Sequence, residues 1–175
     1  MGKAWSHERQ SGNDEWLTPR FILDALGTFD LDPCASVVRP WPTAAAHFTT
    51  AEDGLSRPWN GRVWMNPPYG RETARWMARL RDHGNGIALI FARTDTRMFF
   101  DSVWGWADVV MFLRGRLKFV DTAGVAAGTA GAASCLVAFG EANADVLRRC
   151  GLIGHVVSVG GTIPVPKMST KEIRP

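Results

Sequence analysis

The chain has 175 residues, 46% of them hydrophobic and 21% charged, which suits one folded domain with a single core. Its formal net charge of +3 and its pI of about 9.0 permit an acidic partner such as nucleic acid without requiring one. Cys34, Cys135 and Cys150 are widely spaced and form no CxxC pair, so a disulfide framework and a zinc site are both disfavoured.

Other features of the composition narrow the class further. The four histidines form no spaced pair, so we assign no metal site. No apolar stretch approaches the ~18–20 residues that a membrane span needs, and the first residues carry no signal-peptide pattern. We therefore expect a cytoplasmic protein with no membrane partner. Its expected parts are a flexible arm over residues 1–13, a folded domain over 14–168 and a loose tail over 169–175.

Short apolar runs and helical patterns alternate along the chain. The first helix is expected to begin at Thr18-Pro19, with Thr18 as N-cap and Pro19 at the first helical position, and to end at Gly27. Continuous apolar runs indicate strands that are covered on both faces, so the chain is predicted to form an α/β fold with a mostly parallel sheet flanked by helices. The strands are predicted over residues 29–31, 62–65, 87–91, 108–113 and 134–139, and the helices over 72–82, 96–104 and 146–149.

Three of these predicted strands end in polar residues. In open sheets of this kind, ligands bind beyond the carboxyl ends of the strands. The three strand ends are therefore expected to share one edge of the sheet and to form the functional site there; they are Asp32-Pro33-Cys34, Asn66-Pro67-Pro68-Tyr69 and Arg93-Thr94-Asp95.

The segment Asn66-Pro67-Pro68-Tyr69 has a specific chemical use. The side-chain oxygen of Asn66 and the backbone carbonyl of Pro67 are acceptors that two prolines hold in a fixed geometry. Two such acceptors can bind the exocyclic amino group of a nucleobase, pyramidalise it, and stabilise the positive charge that builds as the nitrogen attacks a methyl group. Tyr69 offers a flat face for the planar target. The segment therefore predicts methyl transfer to a planar amine or amide.

The same four residues resemble the catalytic motif of amino-methyltransferases that use S-adenosylmethionine. Further segments of the chain resemble segments of phage-type DNA N6-adenine methyltransferases, and they follow one another in the same order as in that family. The similarity covers roughly residues 14–140. The resemblance implies a Rossmann-like methyltransferase domain encoded by a phage or prophage, with S-adenosylmethionine as cofactor and DNA as partner. The matching segments are DEWLTPRFILDAL (14–26), FDLDPCAS (29–36), EDGL (52–55), ALIFARTDTRMFF (88–100), ADVVMFLRGRLKF (107–119) and CLVAFG (135–140).

The resemblance also implies roles for individual residues. The catalytic set is Asn66, Pro67, Pro68 and Tyr69. The Thr-Pro motif, the end of the first strand and the acidic turn are implied to bind the cofactor through Thr18, Pro19, Asp32, Pro33, Cys34, Ala35 and Asp53. The chain departs from the family pattern in two respects. Cys34-Ala35-Ser36 stand where a glycine-rich loop usually follows the first strand, and the acidic residue that usually binds the cofactor ribose has no clear counterpart.

The predicted DNA contacts lie after the later strands. Arg93 is a candidate phosphate contact, and the run after residue 113 adds three cations and an aromatic ring, which suit phosphate clamps and a second stacking surface for a flipped base. These four residues are Arg114, Arg116, Lys118 and Phe119. A basic β-turn without a DNA role is the alternative. Because we find no separate target-recognition domain, we expect weak sequence preference or help from a second copy in a homodimer.

Alternative functions remain open from the sequence. The same motif also resembles the sites of enzymes that methylate cytosine N4, guanine N2 in ribosomal RNA, or the glutamine side chain in proteins. The missing glycine-rich loop suggests a further alternative, a cofactor-free DNA-binding protein on a methyltransferase fold.

Overall fold

The computed structural model describes residues 16–160, and the predicted arm and tail lie outside this range. Helices and strands follow in chain order as α1 (Arg20–Leu26), β1 (Leu31–Asp32), β2 (Ala46–His47), β3 (Val63–Met65), α2 (Thr73–His83), β4 (Gly86–Phe91), α3 (Arg97–Ser102), β5 (Val109–Leu113), β6 (Lys118–Val120), β7 (Ala126–Thr129), β8 (Ser134–Phe139), α4 (Glu141–Arg149) and β9 (Gly154–Ser158). The fold is therefore α/β, as predicted. No described helix is long and apolar enough to cross a membrane.

The main sheet has seven strands in the order β2-β1-β3-β4-β8-β5-β9, and β6 and β7 form a separate two-stranded hairpin. The pairs β2-β1, β1-β3 and β3-β4 are parallel, whereas β4-β8, β8-β5 and β5-β9 are antiparallel. The prediction of a mostly parallel sheet is therefore wrong. The chain returns from β5 through a hairpin rather than a crossover helix, so β8 enters between β4 and β5 in the opposite direction.

Two apolar layers cover the faces of this sheet. Trp64 of β3 packs with α1, Phe29 and α4 on one face. Its neighbours Val63 and Met65 pack with α2 and α3 on the other. This two-sided burial explains why the strands read as continuous apolar runs, since every side chain of β3 is buried whichever way it points.

The predicted end of α2 agrees with the structure, whereas the predicted start of α1 differs from it by one residue. Gly84 ends α2 in the left-handed conformation, with its N–H donating to the Leu80 carbonyl, as the glycine predicts. In α1 the N-cap position is held by Pro19 and not by Thr18, so that prediction is wrong by one residue. The chain extends through Pro19 at ψ 139°, because its turn into the helix begins only at Arg20.

The segment between β1 and β3 folds back against the end of β1. The Ala35 N–H donates to the Phe48 carbonyl at 2.9 Å, and the Phe48 N–H donates to the Asp32 carbonyl at 2.9 Å. Gly54 closes the segment against Pro33: a Cβ atom added to Gly54 would lie 1.9 Å from the Pro33 carbonyl oxygen. A side chain at residue 54 is thus incompatible with the observed path of residues 32–34.

Substitution Gly54→Ala is expected to destabilise the fold by about 1–3 kcal/mol, because the backbone at Pro33 must move to admit the methyl group. Urea denaturation followed by circular dichroism measures the change. Gly160→Ala is the control, since its added Cβ would meet no atom closer than 3.7 Å. Equal stability of the two variants would contradict the close approach of Gly54 to Pro33.

Candidate active site

The ends of β1, β3 and β4 meet at one edge of the sheet, because these strands pair in parallel. Asp32 is the last residue of β1, Asn66 follows β3, and Arg93 lies just beyond β4. Two cavities open at this edge, with volumes of about 510 Å³ and about 750 Å³. Trp16 and Tyr69 contribute to the walls of both, and Asn66 lies in the wall of the smaller.

The side-chain amide of Asn66 is held at both of its polar atoms. Its Nδ2 donates to the main-chain carbonyl of Trp16 at 2.7 Å. Its Oδ1 accepts from the Tyr69 hydroxyl at 3.1 Å. Because a carbonyl can only accept, the Trp16 contact fixes which end of the amide is the NH₂ group, and Oδ1 is left as an acceptor. An amide oxygen has two lone pairs, so Oδ1 can accept one further hydrogen bond beside that from Tyr69.

The turn that contains both prolines is closed by Thr73. The Thr73 hydroxyl donates to the Pro68 carbonyl at 2.7 Å, and it accepts from the Gly70 N–H at 3.0 Å. Thr73 is the first residue of α2, so the turn is anchored to a helix that packs on the sheet. Within the described residues the Pro67 carbonyl accepts no hydrogen bond, which leaves it available to a ligand.

Tyr69 is itself packed from more than one side. Its ring stacks on Phe91 with centroids 4.1 Å apart and planes 18° apart, and it meets the Phe119 ring edge-on at 6.0 Å. Burial raises the pKa of the Tyr69 hydroxyl far above its ordinary value, so the group stays protonated and can donate to Asn66. One face of the ring is therefore covered by Phe91, and a planar target has only the other face to stack on.

The smaller cavity contains part of the predicted cofactor set. Thr18, Asp32, Cys34 and Ala35 lie in its wall, together with the catalytic segment 66–69. Pro19 and Pro33 do not line it, and neither does Asp53. The described structure places Asp53 on an exposed turn at φ 49°, while Thr50 from the same segment reaches the wall. Further lining residues are Trp16, Leu17, Ser36, Arg39, Pro40, Trp41, Thr43 and Trp64.

Asp32 is a buried carboxyl group at the end of β1. Burial raises its pKa from 3.8 to about 6, although hydrogen bonds oppose this effect. The opposing donors are the Thr43 hydroxyl and the Cys34 N–H, which lies 3.1 Å from Oδ1. Burial and the neighbouring Asp32 charge raise the pKa of the Cys34 thiol well above its ordinary value, so Cys34 is a neutral thiol. At neutral pH the cavity wall therefore carries one buried negative charge at Asp32.

Trp64 has a buried polar atom without a partner in the described structure, and its side chain lies beside this cavity. Its side chain is 0% exposed and lies in the cavity wall, and its indole N–H has no acceptor among residues 16–160. Buried donors are rarely left unpaired, and a ligand or an ordered water usually explains an exception. A volume of about 510 Å³ is also in the range of small-molecule sites. The residues present thus fit a charged, nucleoside-sized cofactor.

Of the predicted DNA-binding residues, Arg93 and Phe119 line the larger cavity, and the others lie between β5 and the hairpin or at its first residue. Arg93 is exposed and lines that cavity, and Arg114, Arg116 and Lys118 are exposed beyond β5. Phe119 differs from the expectation, because it is 1% exposed. Its ring packs edge-on against Trp16 at 5.8 Å and against Tyr69, and it lies in the wall of the larger cavity with almost no exposed surface, so it supports the site from inside more than it offers a face to a base.

Several residues of the site were not assigned from the sequence. Trp16 lies in the Thr-Pro segment. Its contact with Asn66 is made by the main-chain carbonyl, which every residue type has, so the identity of the side chain does not predict it. Trp64 could have been found, since it lies two residues before Asn66 and side chains at that spacing share a face of the strand. Thr73 and Thr43 act through hydroxyl contacts that only the folded turns create.

The comparison with protein families identifies the class of enzyme, which is a methyltransferase. Residues 5–147 match the family model of DNA N-6-adenine-methyltransferase (Dam). The chain belongs to this family, and it is a DNA adenine methyltransferase that uses S-adenosylmethionine. The family predicted from the sequence is thereby confirmed. No curated protein and no solved structure was found to match the chain. Among the described residues, no His, Cys, Asp and Glu side chains form a group that could hold a metal ion.

Substitution Asp32→Asn is expected to stabilise the fold at pH 8 by up to about 3 kcal/mol, because it removes a buried charge. A carboxyl group whose pKa is raised to about 6 destabilises the folded state only when it is ionised. The advantage of the variant should therefore shrink as the pH falls through 6 and nearly vanish at pH 4. Urea denaturation at pH 8, 6 and 4 measures it, with the exposed Asp24→Asn as control. A constant difference would contradict the raised pKa.

Proposed function

We propose that the carboxyl edge of the sheet transfers a methyl group to the N6 atom of adenine through the acceptors of Asn66 and Pro67. The main support for this proposal is the orientation of the Asn66 amide. It is fixed between the Trp16 carbonyl and the Tyr69 hydroxyl, in the wall of the smaller cavity. The smaller cavity binds S-adenosylmethionine, and the larger one receives the ring of the target base. The amino group of the base enters the smaller cavity beside Tyr69, because Asn66 and Pro67 line only that cavity. Tyr69 lies between them, in the wall of both.

The cofactor is held by groups of complementary charge and hydrogen-bonding type. When bound, S-adenosylmethionine supplies an electrophilic methyl group on a positively charged sulfur. The Asp32 carboxylate attracts the positive charges of this molecule, and ionisation above pH 6 keeps it available. Trp64 offers its unpaired indole N–H to an acceptor oxygen or nitrogen. Of the predicted set, Thr18, Asp32, Cys34 and Ala35 have positions that support this role, because they line the cavity.

Asn66 and Pro67 act on the amino group of the base. Asn66 Oδ1 and the Pro67 carbonyl accept the two N6–H bonds, which draws the nitrogen lone pair out of conjugation with the ring. As the new C–N bond forms and the S–C bond breaks, both oxygens stabilise the positive charge on nitrogen. The nitrogen then loses a proton to water. Tyr69 does not serve as the base, because its raised pKa keeps the hydroxyl protonated.

Exposed cations around the larger cavity suit the phosphates of the DNA backbone. Arg93 lies in the wall, and Arg114, Arg116 and Lys118 are exposed at and before the start of the hairpin, whose Phe119 and Thr129 line the same cavity. Such contacts position the duplex without reading its sequence. We assign these four residues to phosphate binding, and their removal is expected to weaken binding to DNA of any sequence.

Substitution Trp64→Phe is expected to weaken the binding of S-adenosylmethionine about two- to tenfold, because it removes one hydrogen-bond donor and keeps an aromatic ring. Isothermal titration calorimetry measures the affinity. Trp104→Phe is the matched control: its indole N–H already donates to the Thr94 carbonyl at 3.1 Å, outside the cavity. Unchanged affinity in Trp64→Phe would show that the free N–H does not face the cofactor.

The wild-type protein is expected to transfer a labelled methyl group from S-adenosylmethionine to DNA, with N6-methyladenine as the product on nucleoside analysis. Substitution Asn66→Ala should lower the rate at least about 100-fold, because one of the two acceptors is lost. The exposed Asn60→Ala is the control, and its rate should equal that of the wild type. Label in cytosine, RNA or protein would instead identify one of the alternative substrates. Full activity of Asn66→Ala would refute the proposed mechanism.

A further inference from the structure

One of the two groups that orient Asn66, the Trp16 carbonyl, is not fixed by a helix or strand of its own segment. Trp16 lies before α1, outside any helix or strand of the main sheet. Its position is set by the next residue, because Leu17 and Val120 exchange two backbone hydrogen bonds, each 3.0 Å long. The carbonyl that holds Asn66 Nδ2 is therefore tied to strand β6 of the hairpin.

The hairpin also contacts the side chains of both orienting residues. The Phe119 ring meets Trp16 at 5.8 Å and Tyr69 at 6.0 Å, each at an interplanar angle of 70°. Opposite Phe119 in the hairpin lies Gly128, and a Cβ added there would be 3.5 Å from the Trp16 ring. Trp16 thus lies over the hairpin, and Phe119 fills the space between Trp16 and Tyr69.

Strand β6 presents two different faces to its surroundings. Side chains alternate along a strand, so Lys118 and Phe119 point in opposite directions. Lys118 is exposed, whereas Phe119 is 1% exposed. One face of the strand is therefore available to a polyanion, and the other supports the groups around Asn66.

We infer that hairpin β6–β7 positions the catalytic amide, with Phe119 and Trp16 as positioning residues that act through the Trp16 carbonyl and the Tyr69 hydroxyl. The inference rests on the proposed role of Asn66 in methyl transfer. It reassigns Phe119 from contact with the base to support of the amide. A displacement of about 1 Å at a reacting group can lower a rate about 100-fold, so small losses of packing at this place have large kinetic effects.

The test compares Phe119→Leu with the wild type in single-turnover methylation with saturating DNA and S-adenosylmethionine. The methyl-transfer rate is expected to fall about 10- to 100-fold. Affinity for the cofactor by calorimetry, and affinity for DNA by fluorescence anisotropy, should stay near the wild-type values. Val125→Ala, at an exposed position in the turn of the same hairpin, is the control and should keep the wild-type rate.

A second pair of variants keeps the test decisive if Phe119→Leu does not fold. Trp16 is 40% exposed, so its replacement is compatible with the folded core. Trp16→Ala should lower the methyl-transfer rate, and Trp16→Phe should restore most of it, because a phenyl ring can still pack on Phe119. Failure of Trp16→Phe to recover the rate would overturn the packing role of this residue.

The side-chain amide signals of Asn66 report on the inference without catalysis. With ¹⁵N-labelled asparagine, the Asn66 pair is assigned by its absence in Asn66→Ala. In Phe119→Leu these signals should shift and exchange faster with solvent, while the other asparagine signals stay in place. An unchanged Asn66 signal, or a rate that falls only together with cofactor or DNA affinity, would overturn the inference. A fully active Asn66→Ala would refute the proposed function instead, so the two failures are distinguishable.

Discussion

The side-chain amide of Asn66 is held at both ends, by a carbonyl that accepts from its NH₂ group and by a hydroxyl that donates to its oxygen. A free asparagine side chain can rotate and exchange its two ends, and then it offers a donor as readily as an acceptor. In the proposed methyl transfer, the amino group of the base donates its hydrogens, so only the acceptor end of the asparagine amide can bind it. The two contacts fix which end of the Asn66 amide is presented before any substrate binds. The site is in this sense preorganised, with a hydrogen-bond acceptor rather than a charge as the oriented group.

Two residues of the site lower the stability of the folded protein. Asp32 is a carboxyl group in a buried position, and its raised pKa measures how unfavourable the charge is there. Trp64 has a buried N–H without a partner in the described chain, which is also unfavourable. The charge at Asp32 is not needed for packing, since an amide would fill the same space, whereas the Trp64 ring is part of the core and only its unpaired N–H is unfavourable. Under the proposed function, a charged ligand with acceptor atoms offsets both costs when it enters the cavity, because binding then supplies the missing partners.

The sequence predicted the parts of this fold that depend on local chemistry. A glycine after a helical pattern indicated the end of α2 at Gly84, and the apolar run of 134–139 indicated β8 with its observed bounds. Strand direction could not be read, because a strand buried on both faces is continuously apolar in either orientation. The hairpin was missed for another reason: Ala126–Thr129 is a run of small residues without the β-branched and aromatic side chains that indicate a strand.

The same distinction applies to the site. The position of Asn66, Asp32 and Thr18 in one cavity wall was predictable, since their segments resemble a known family. The contact of Trp16 with Asn66 is made by its backbone, and Phe119 meets Trp16 and Tyr69 through packing alone, so neither contact follows from residue type. In the sequence, an aromatic ring beside three cations indicates a surface on which a base can stack. In the structure, the alternation of side chains along β6 places that ring on the buried face of the strand. In the proposed mechanism, a short basic hairpin therefore serves two functions at once: one face binds phosphate, and the other fixes the geometry of the reacting groups.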